Sequence, residues 1–125
     1  MSKINRGFLD ELKGKILVLD GAMGTMLESI LDPGEPPEIA NLRSPEAVGG
    51  IHRQYTEAGA DIVQTNTFGA NRFKLQKYGL EDRIAEINRK AVGIAKEYCP
   101  NAYVWASMGP TGDLLEPYGS LTFRD

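Results

Sequence analysis

Short apolar runs that stop abruptly at polar or glycine-rich residues recur along this chain. The first is Lys15-Ile16-Leu17-Val18-Leu19, which stops at Asp20-Gly21-Ala22-Met23-Gly24-Thr25. The second, Asp61-Ile62-Val63, ends in Gln64-Thr65-Asn66-Thr67-Phe68-Gly69. The third, Tyr103-Val104-Trp105-Ala106, ends in Ser107-Met108-Gly109-Pro110-Thr111-Gly112. Apolar runs this short predict buried strands, over 16–20, 61–67 and 103–108.

Between these runs the apolar period becomes helical. Val48, Ile51, Tyr55 and Ala58 form one stripe. Ser44 suits the N-cap, Pro45 the first helical position, Glu46 the first turn and Gly59 a left-handed close. Ile84, Ile87, Ala91, Ile94 and Tyr98 mark a longer helix over 81–98, which Pro100 ends. Shorter helices are predicted over 7–13, over 23–31 with Met23, Met26, Leu27 and Ile30 on one face, and over 70–78 before Gly79. The Pro-rich stretch Asp32-Pro33-Gly34-Glu35-Pro36-Pro37 reads as a loop, too short for a domain boundary.

Strands alternating with helices predict parallel crossovers and an α/β sheet. A doubly wound open sheet and a (β/α)8 barrel both fit, and both collect ligands at the C-terminal ends of their strands. All three polar endings lie at that end. Asp20 closes the first strand where the amides of the following turn point, which suits a small molecule carrying an amine and a carboxylate. Asp-Gly is also a turn signal in its own right. Residues 21–25 lack the Gly-x-Gly-x-x-Gly spacing and the Walker Lys-Ser/Thr pair, so a carboxylate fits better than a pyrophosphate. In the second ending Thr65 and Thr67 share one side, and Gln64 and Asn66 the other. After the buried pair Ile62-Val63 they read as the wall of a site, although threonine also suits an exposed strand edge.

Composition narrows the field. The chain has 125 residues, enough for one domain with a core. A net charge of −3, a pI near 5.2 and the absence of a Lys/Arg block argue against a nucleic-acid footprint. No apolar stretch is long enough to span a membrane, and the basic N-terminus lacks the apolar core of a secretory signal. With one cysteine, Cys99, an internal disulfide is impossible and a cytoplasmic setting is expected. Cys99 at a helix C-terminus reads as structural. With one histidine, His52, a His-based metal site is excluded, and His52 reads as a surface or packing residue. Met23, Met26 and Trp105 read as core, with Met23 also able to line a thiol pocket.

The motifs Leu19-Asp20-Gly21-Ala22-Met23-Gly24-Thr25, Ala58-Gly59-Ala60-Asp61-Ile62-Val63-Gln64-Thr65-Asn66-Thr67-Phe68-Gly69-Ala70 and Gly109-Pro110-Thr111-Gly112 stand in the order and spacing of homocysteine S-methyltransferase domains. Asn41-Leu42 and Ser44-Pro45-Glu46 fit as well. The resemblance extends from about residue 8 to residue 125 and is strongest to the N-terminal homocysteine-binding modules of cobalamin-dependent methionine synthases. It implies a (β/α)8 TIM-type barrel of which residues 1–125 hold only the first three β/α units. It also implies homocysteine as substrate, a zinc ion that activates the thiol, and methylcobalamin as methyl donor. The rest of the barrel and the methyl-carrying domains would be partners within one enzyme. The amides of Gly21, Ala22 and Met23 would hold the substrate carboxylate, and Asp20 would hold or orient its ammonium. Thr65, Asn66 and Thr67 would wall the pocket. The family's zinc ligands are three cysteines on later strands, and nothing in this chain matches them. The isolated chain is therefore expected to be inactive. The alternative is a non-catalytic module that binds an amino acid or serves assembly, without metal. A pterin-binding barrel is disfavoured by the Asp20–Thr25 motif.

Overall fold

The structure, a computed structural model, describes residues 3–125, with side chains from residue 7 onward. Its helices are α1 (Lys3–Leu12), α2 (Gly24–Leu27), α3 (Ala40–Arg43), α4 (Pro45–Glu57), α5 (Arg72–Leu75) and α6 (Ile84–Tyr98). Single 3-10 turns cover Pro37–Ile39, Gln76–Tyr78 and Glu81–Arg83. Strands β1 (Ile62–Gln64) and β2 (Tyr103–Trp105) pair in parallel, with Ile62 opposite Tyr103 and Gln64 opposite Trp105. The connection between them runs through α5 and α6, so the chain is α/β as its pattern implies.

The two main helices follow the sequence closely. Ser44 stands at the N-cap of α4 with Pro45 first in the helix, although the serine hydroxyl makes no capping bond. At the other end Gly59 takes φ +109°, and the Gly59 and Ala60 amides donate to Thr56 and Tyr55 carbonyls. The helices α4 and α6 cross closely at Gly49, because a Cβ there would collide with the Tyr98 ring. Around this crossing Leu27, Val48, Ile51 and Ile94 form one buried cluster. Val63, Ala95 and Cys99 form a second behind β1, and Ala70, Leu75 and Ile87 a third.

Other elements depart from expectation. The strand expected over 16–20 is reduced to a parallel bridge between Leu19 and Ile62. The Asp61 amide still donates to the Val18 carbonyl at 2.8 Å, and the Asp20 amide to Ile62 at 2.9 Å. The segment thus lies along the free edge of β1, but Ile16 is 91% exposed and nothing pairs its outer side among the described residues. The helix expected over 23–31 lasts one turn, since Leu27 is buried while Met26 and Ile30 stay exposed. Only Leu27 is fully buried here, with Met23 and Leu31 partly buried against the same cluster, too little to offset the cost of a longer helix. Ala58, expected in the α4 stripe, is the exposed C-cap residue just past Glu57. Trp105, expected in the core, is 42% exposed and meets the Phe8 ring edge-on at 5.3 Å. Beyond Gln64 and Trp105 the strand pairing gives way to side-chain bonds, because the threonine hydroxyls there compete for the ladder partners.

Candidate functional site

The three polar endings meet at one cleft of about 440 Å³. Gly21, Ala22 and Met23 line it from the first ending, Thr65, Asn66 and Thr67 from the second, and Ser107 from the third. Each follows a strand or the Leu19 bridge, so the cleft sits at the C-terminal edge of the sheet.

The second wall is locked from within. The Thr65 and Thr67 hydroxyls lie 2.7 Å apart. The Thr67 hydroxyl donates to the Ser107 carbonyl at 2.7 Å, and the Ser107 amide donates to Thr65 Oγ1 at 3.3 Å. Asn66, on the opposite side as strand alternation requires, donates from Nδ2 to the Pro37 carbonyl at 2.8 Å and to Asn41 Oδ1 at 3.1 Å. Asn41 Nδ2 returns a bond to the Asn66 carbonyl at 2.8 Å. All three wall residues are at most 5% exposed, so they shape the cleft with their polar groups already engaged.

The first wall is the reverse. The amides of Gly21, Ala22 and Met23 find no acceptor among the described residues. The Tyr55 hydroxyl holds this turn by donating to the Ala22 carbonyl at 2.8 Å. Asp20 is adjacent in sequence but is not among the residues lining the cleft. Its side chain is 2% exposed and faces inward, where Oδ2 accepts the Gln64 amide at 3.0 Å and stands 4.0 Å from His52 Nδ1. Burial raises the Asp20 pKa, and the Gln64 amide bond opposes that rise. His52 is fully buried, and burial lowers its pKa to about 4. Asp20 Oδ1 and both His52 ring nitrogens are buried without a hydrogen-bond partner.

One wall residue, Glu38, and one residue behind the wall, Asn41, do not stand out from the pattern. Glu38 lines the cleft and is 4% exposed, and its Oε1 accepts the Gly69 amide. Asn41 is fully buried in the clasp with Asn66. Both follow the Pro-rich loop, and their partners lie more than 20 residues away. The Asn41-Leu42 match hinted at Asn41 alone.

The metal implied by the resemblance finds no fit here. Among the described residues no three His, Cys, Asp or Glu side chains come together as a metal site. Cys99 is buried against the Thr56 hydroxyl, and burial raises its thiol pKa, the opposite of what a zinc ligand needs. Among the described residues no helix is long and apolar enough to cross a membrane.

Comparison with known proteins matches residues 17–125 to the model of the homocysteine S-methyltransferase family. A methionine synthase from Mycobacterium tuberculosis is 40% identical over 82% of this chain, and one from Mycobacterium leprae is 38% identical over 93%. The chain spans only about a tenth of these relatives' length, 10% and 11%. Among solved structures, the metallated form of the homocysteine methyltransferase MmuM from Escherichia coli superposes with a TM-score of 0.72 at 27% identity. That match covers 86% of this chain and 41% of MmuM. The oxidized form of MmuM gives a TM-score of 0.73 at 26% identity, over 89% of this chain and 42% of that one.

Proposed function

This chain belongs to the homocysteine S-methyltransferase family, and from that premise we propose that it supplies the homocysteine-holding loops of a methionine synthase-type methyltransferase. The observation that carries the reading is the convergence of the three strand ends on one cleft. In this reading residues 1–125 are the first three β/α units of a (β/α)8 barrel, and the remaining units come from elsewhere in a longer protein.

The free amides of Gly21, Ala22 and Met23 hold the substrate carboxylate, as unpaired N–H groups at a tight turn do for anions. Thr65, Asn66 and Thr67 hold the wall still, since their own bonds leave them no freedom to turn. Asp20 holds or orients the ammonium. The support for this is its unpartnered Oδ1, a buried acceptor that costs free energy until a donor reaches it. Zinc, if the whole enzyme held it, would favour the substrate thiol in its deprotonated form at neutral pH. Its ligands lie outside these residues, as does the site of the methyl donor, which this reading takes to be methylcobalamin.

Calorimetric titration of the protein at its natural length with L-homocysteine tests the reading. Binding is expected, and Asp20→Asn is expected to weaken it about ten- to a hundredfold, the usual loss for one charge-assisted hydrogen bond. Absence of binding sinks the functional reading, whereas an unchanged dissociation constant in the variant returns Asp20 to the role of a turn residue. A second reading, an amino-acid-binding or assembly module without metal, draws on the donor set, which offers one cysteine and one histidine, both buried. Stoichiometric zinc retained by the 125-residue chain after dialysis would decide against it.

A further inference from the structure

Helix α1 lies outside residues 17–125, the part of the chain that matches the family, so the family reading leaves it without a task. Its seat on the sheet is well defined. Val63 and Val104 pack toward α6, with Ala95 and Cys99. Strand alternation therefore turns Tyr103 and Trp105 to the opposite face, which is the interior in a β/α barrel. The Phe8 ring of α1 meets both side chains there edge-on, at 5.1 Å from Tyr103 and 5.3 Å from Trp105. Edge-to-face contacts of this kind attract beyond the area they bury.

Polar contacts fix where along the strands α1 sits. Tyr103, the first residue of β2, donates its hydroxyl to Glu11 Oε1 at 3.1 Å. Lys15 Nζ stands 3.0 Å from Asp61 Oδ1, just before β1, and 3.4 Å from Glu11 Oε2. Exposed pairs like these add little stability, but they set the position of the helix. It crosses the N-terminal end of the sheet, opposite the cleft.

The apolar surface of α1 is wider than the partner it has here. Phe8, Leu9 and Leu12 span an arc of about 100° around the helix. Phe8 is half-buried, whereas Leu9 is 56% and Leu12 47% exposed. Two strands occupy only one edge of that arc. The metallated MmuM structure superposes on 86% of this chain with only 41% of its own length, so the shared fold continues well past this sheet.

We infer that α1 is the plug of the barrel's N-terminal end, with Phe8 set into the interior against Tyr103 and Trp105, and with Leu9 and Leu12 seated on the strands that complete the barrel. This rests on the barrel reading above and gives residues 3–15 a task within it. The plug covers the lower end of the interior and takes no part in the cleft, since that end of a barrel serves stability and the other serves ligands.

Hydrogen exchange and homocysteine calorimetry on the natural-length protein test this. Phe8→Ala and Leu9→Glu/Leu12→Glu are each expected to speed exchange at Ile62–Gln64 and Tyr103–Trp105 about tenfold, while the homocysteine dissociation constant moves by less than about twofold. Leu12→Ser alone, with a severalfold rise expected, serves where the double variant fails to fold. Faster exchange in Phe8→Ala but not in the leucine variants would limit α1 to the two strands seen here and overturn the plug. Unchanged exchange in all of them overturns it too, as does a large loss of homocysteine affinity, which would tie α1 to the cleft. The barrel reading has its own readout in the same data. The Leu17 and Leu19 amides have no acceptor among the described residues, and a closing strand would protect them. Their rapid exchange in the wild type would mean an open sheet, and would overturn the barrel reading and the plug with it.

Discussion

The stretch from Pro36 to Cys99 and the segments that flank it obey the same rules with opposite outcomes. Of the buried apolar residues, all but Leu27 lie between Ile39 and Cys99, and the only large apolar residues exposed there are Phe68 and Tyr78. The flanks expose Ile16, Val18, Leu19, Met26 and Ile30 before that stretch, and Trp105, Met108, Leu114, Tyr118 and Phe123 after it. The difference is one of partners. α4 and α6 cover each other and β1, so their stripes are satisfied within the chain. The flanking runs carry apolar residues that find no cover among the described residues.

The largest contrast is expected from truncating one side chain in each region. Ile87 is fully buried against Ala70 and Leu75, and Ile87→Ala is expected to cost about 2–5 kcal/mol. Ile16→Ala, at a 91% exposed position, should stay within about 0.5 kcal/mol. Urea unfolding of both variants checks this, and equal losses would erase the distinction between the regions.

Acidification probes the seam between the middle stretch, which holds His52, and the first flank, which holds Asp20. His52 titrates near 6.5 when unfolded and at about 4 when folded, because burial penalises its charge. Between those values the unfolded chain binds the proton and the folded chain does not. Stability should therefore fall as pH drops from about 6.5 to about 4, by at most about 3 kcal/mol. Asp20 acts against this trend, since its raised pKa lets the folded form take up a proton first and gain stability as pH falls through that value. His52→Leu should flatten the slope and cost little at neutral pH, because it removes two unpartnered nitrogens. Thermal melts across this pH range compare the two proteins, and an equal slope in the variant would place the titration elsewhere.

The clasp is the next smaller effect. Asn66→Ala strands the Asn41 amide oxygen and the Pro37 carbonyl, for an expected loss of about 1–3 kcal/mol. Hydrogen exchange should show faster opening at Gly69 and Ser107 in the variant, with α6 unchanged. Uniform acceleration would mean that the clasp belongs to the core as a whole.

The same contrast governs what was legible in the sequence. α4 and α6 could be read to within three residues because their apolar period, Pro45 and Gly59 all act locally. The strands came out shorter than the spans expected over 16–20, 61–67 and 103–108, because threonine hydroxyls and a free edge interrupt the ladder. Met26 and Trp105 read as core and Ile30 as part of the same helix face as Met26, yet all three are exposed, since a pattern records a wish for cover and not its presence. In the site, the convergence of Gly21–Met23 with Thr65–Thr67 followed from strand polarity. The inward turn of Asp20 toward His52, and the place of Glu38, depend on contacts between distant segments that no local spacing announces.

The smallest effect on stability carries the sharpest reading of the flanks. Ile16 and Met108 are 91% and 90% exposed, so replacing both with lysine removes no packing and should change unfolding free energy by less than about 0.5 kcal/mol. What should change is association. Exposed apolar residues flanking a short parallel sheet, with one strand edge unpaired, favour contact between copies. The 125-residue chain is therefore expected to self-associate in light scattering, and Ile16→Lys/Met108→Lys to shift it toward monomer. The reason is specific to position, because a lysine on the free strand edge adds charge where a second copy would have to pair. A wild-type chain that stays monomeric and melts cooperatively would show that the flanks need no cover. The apolar runs at 16–19 and 103–106 would then call for no cover from outside these residues.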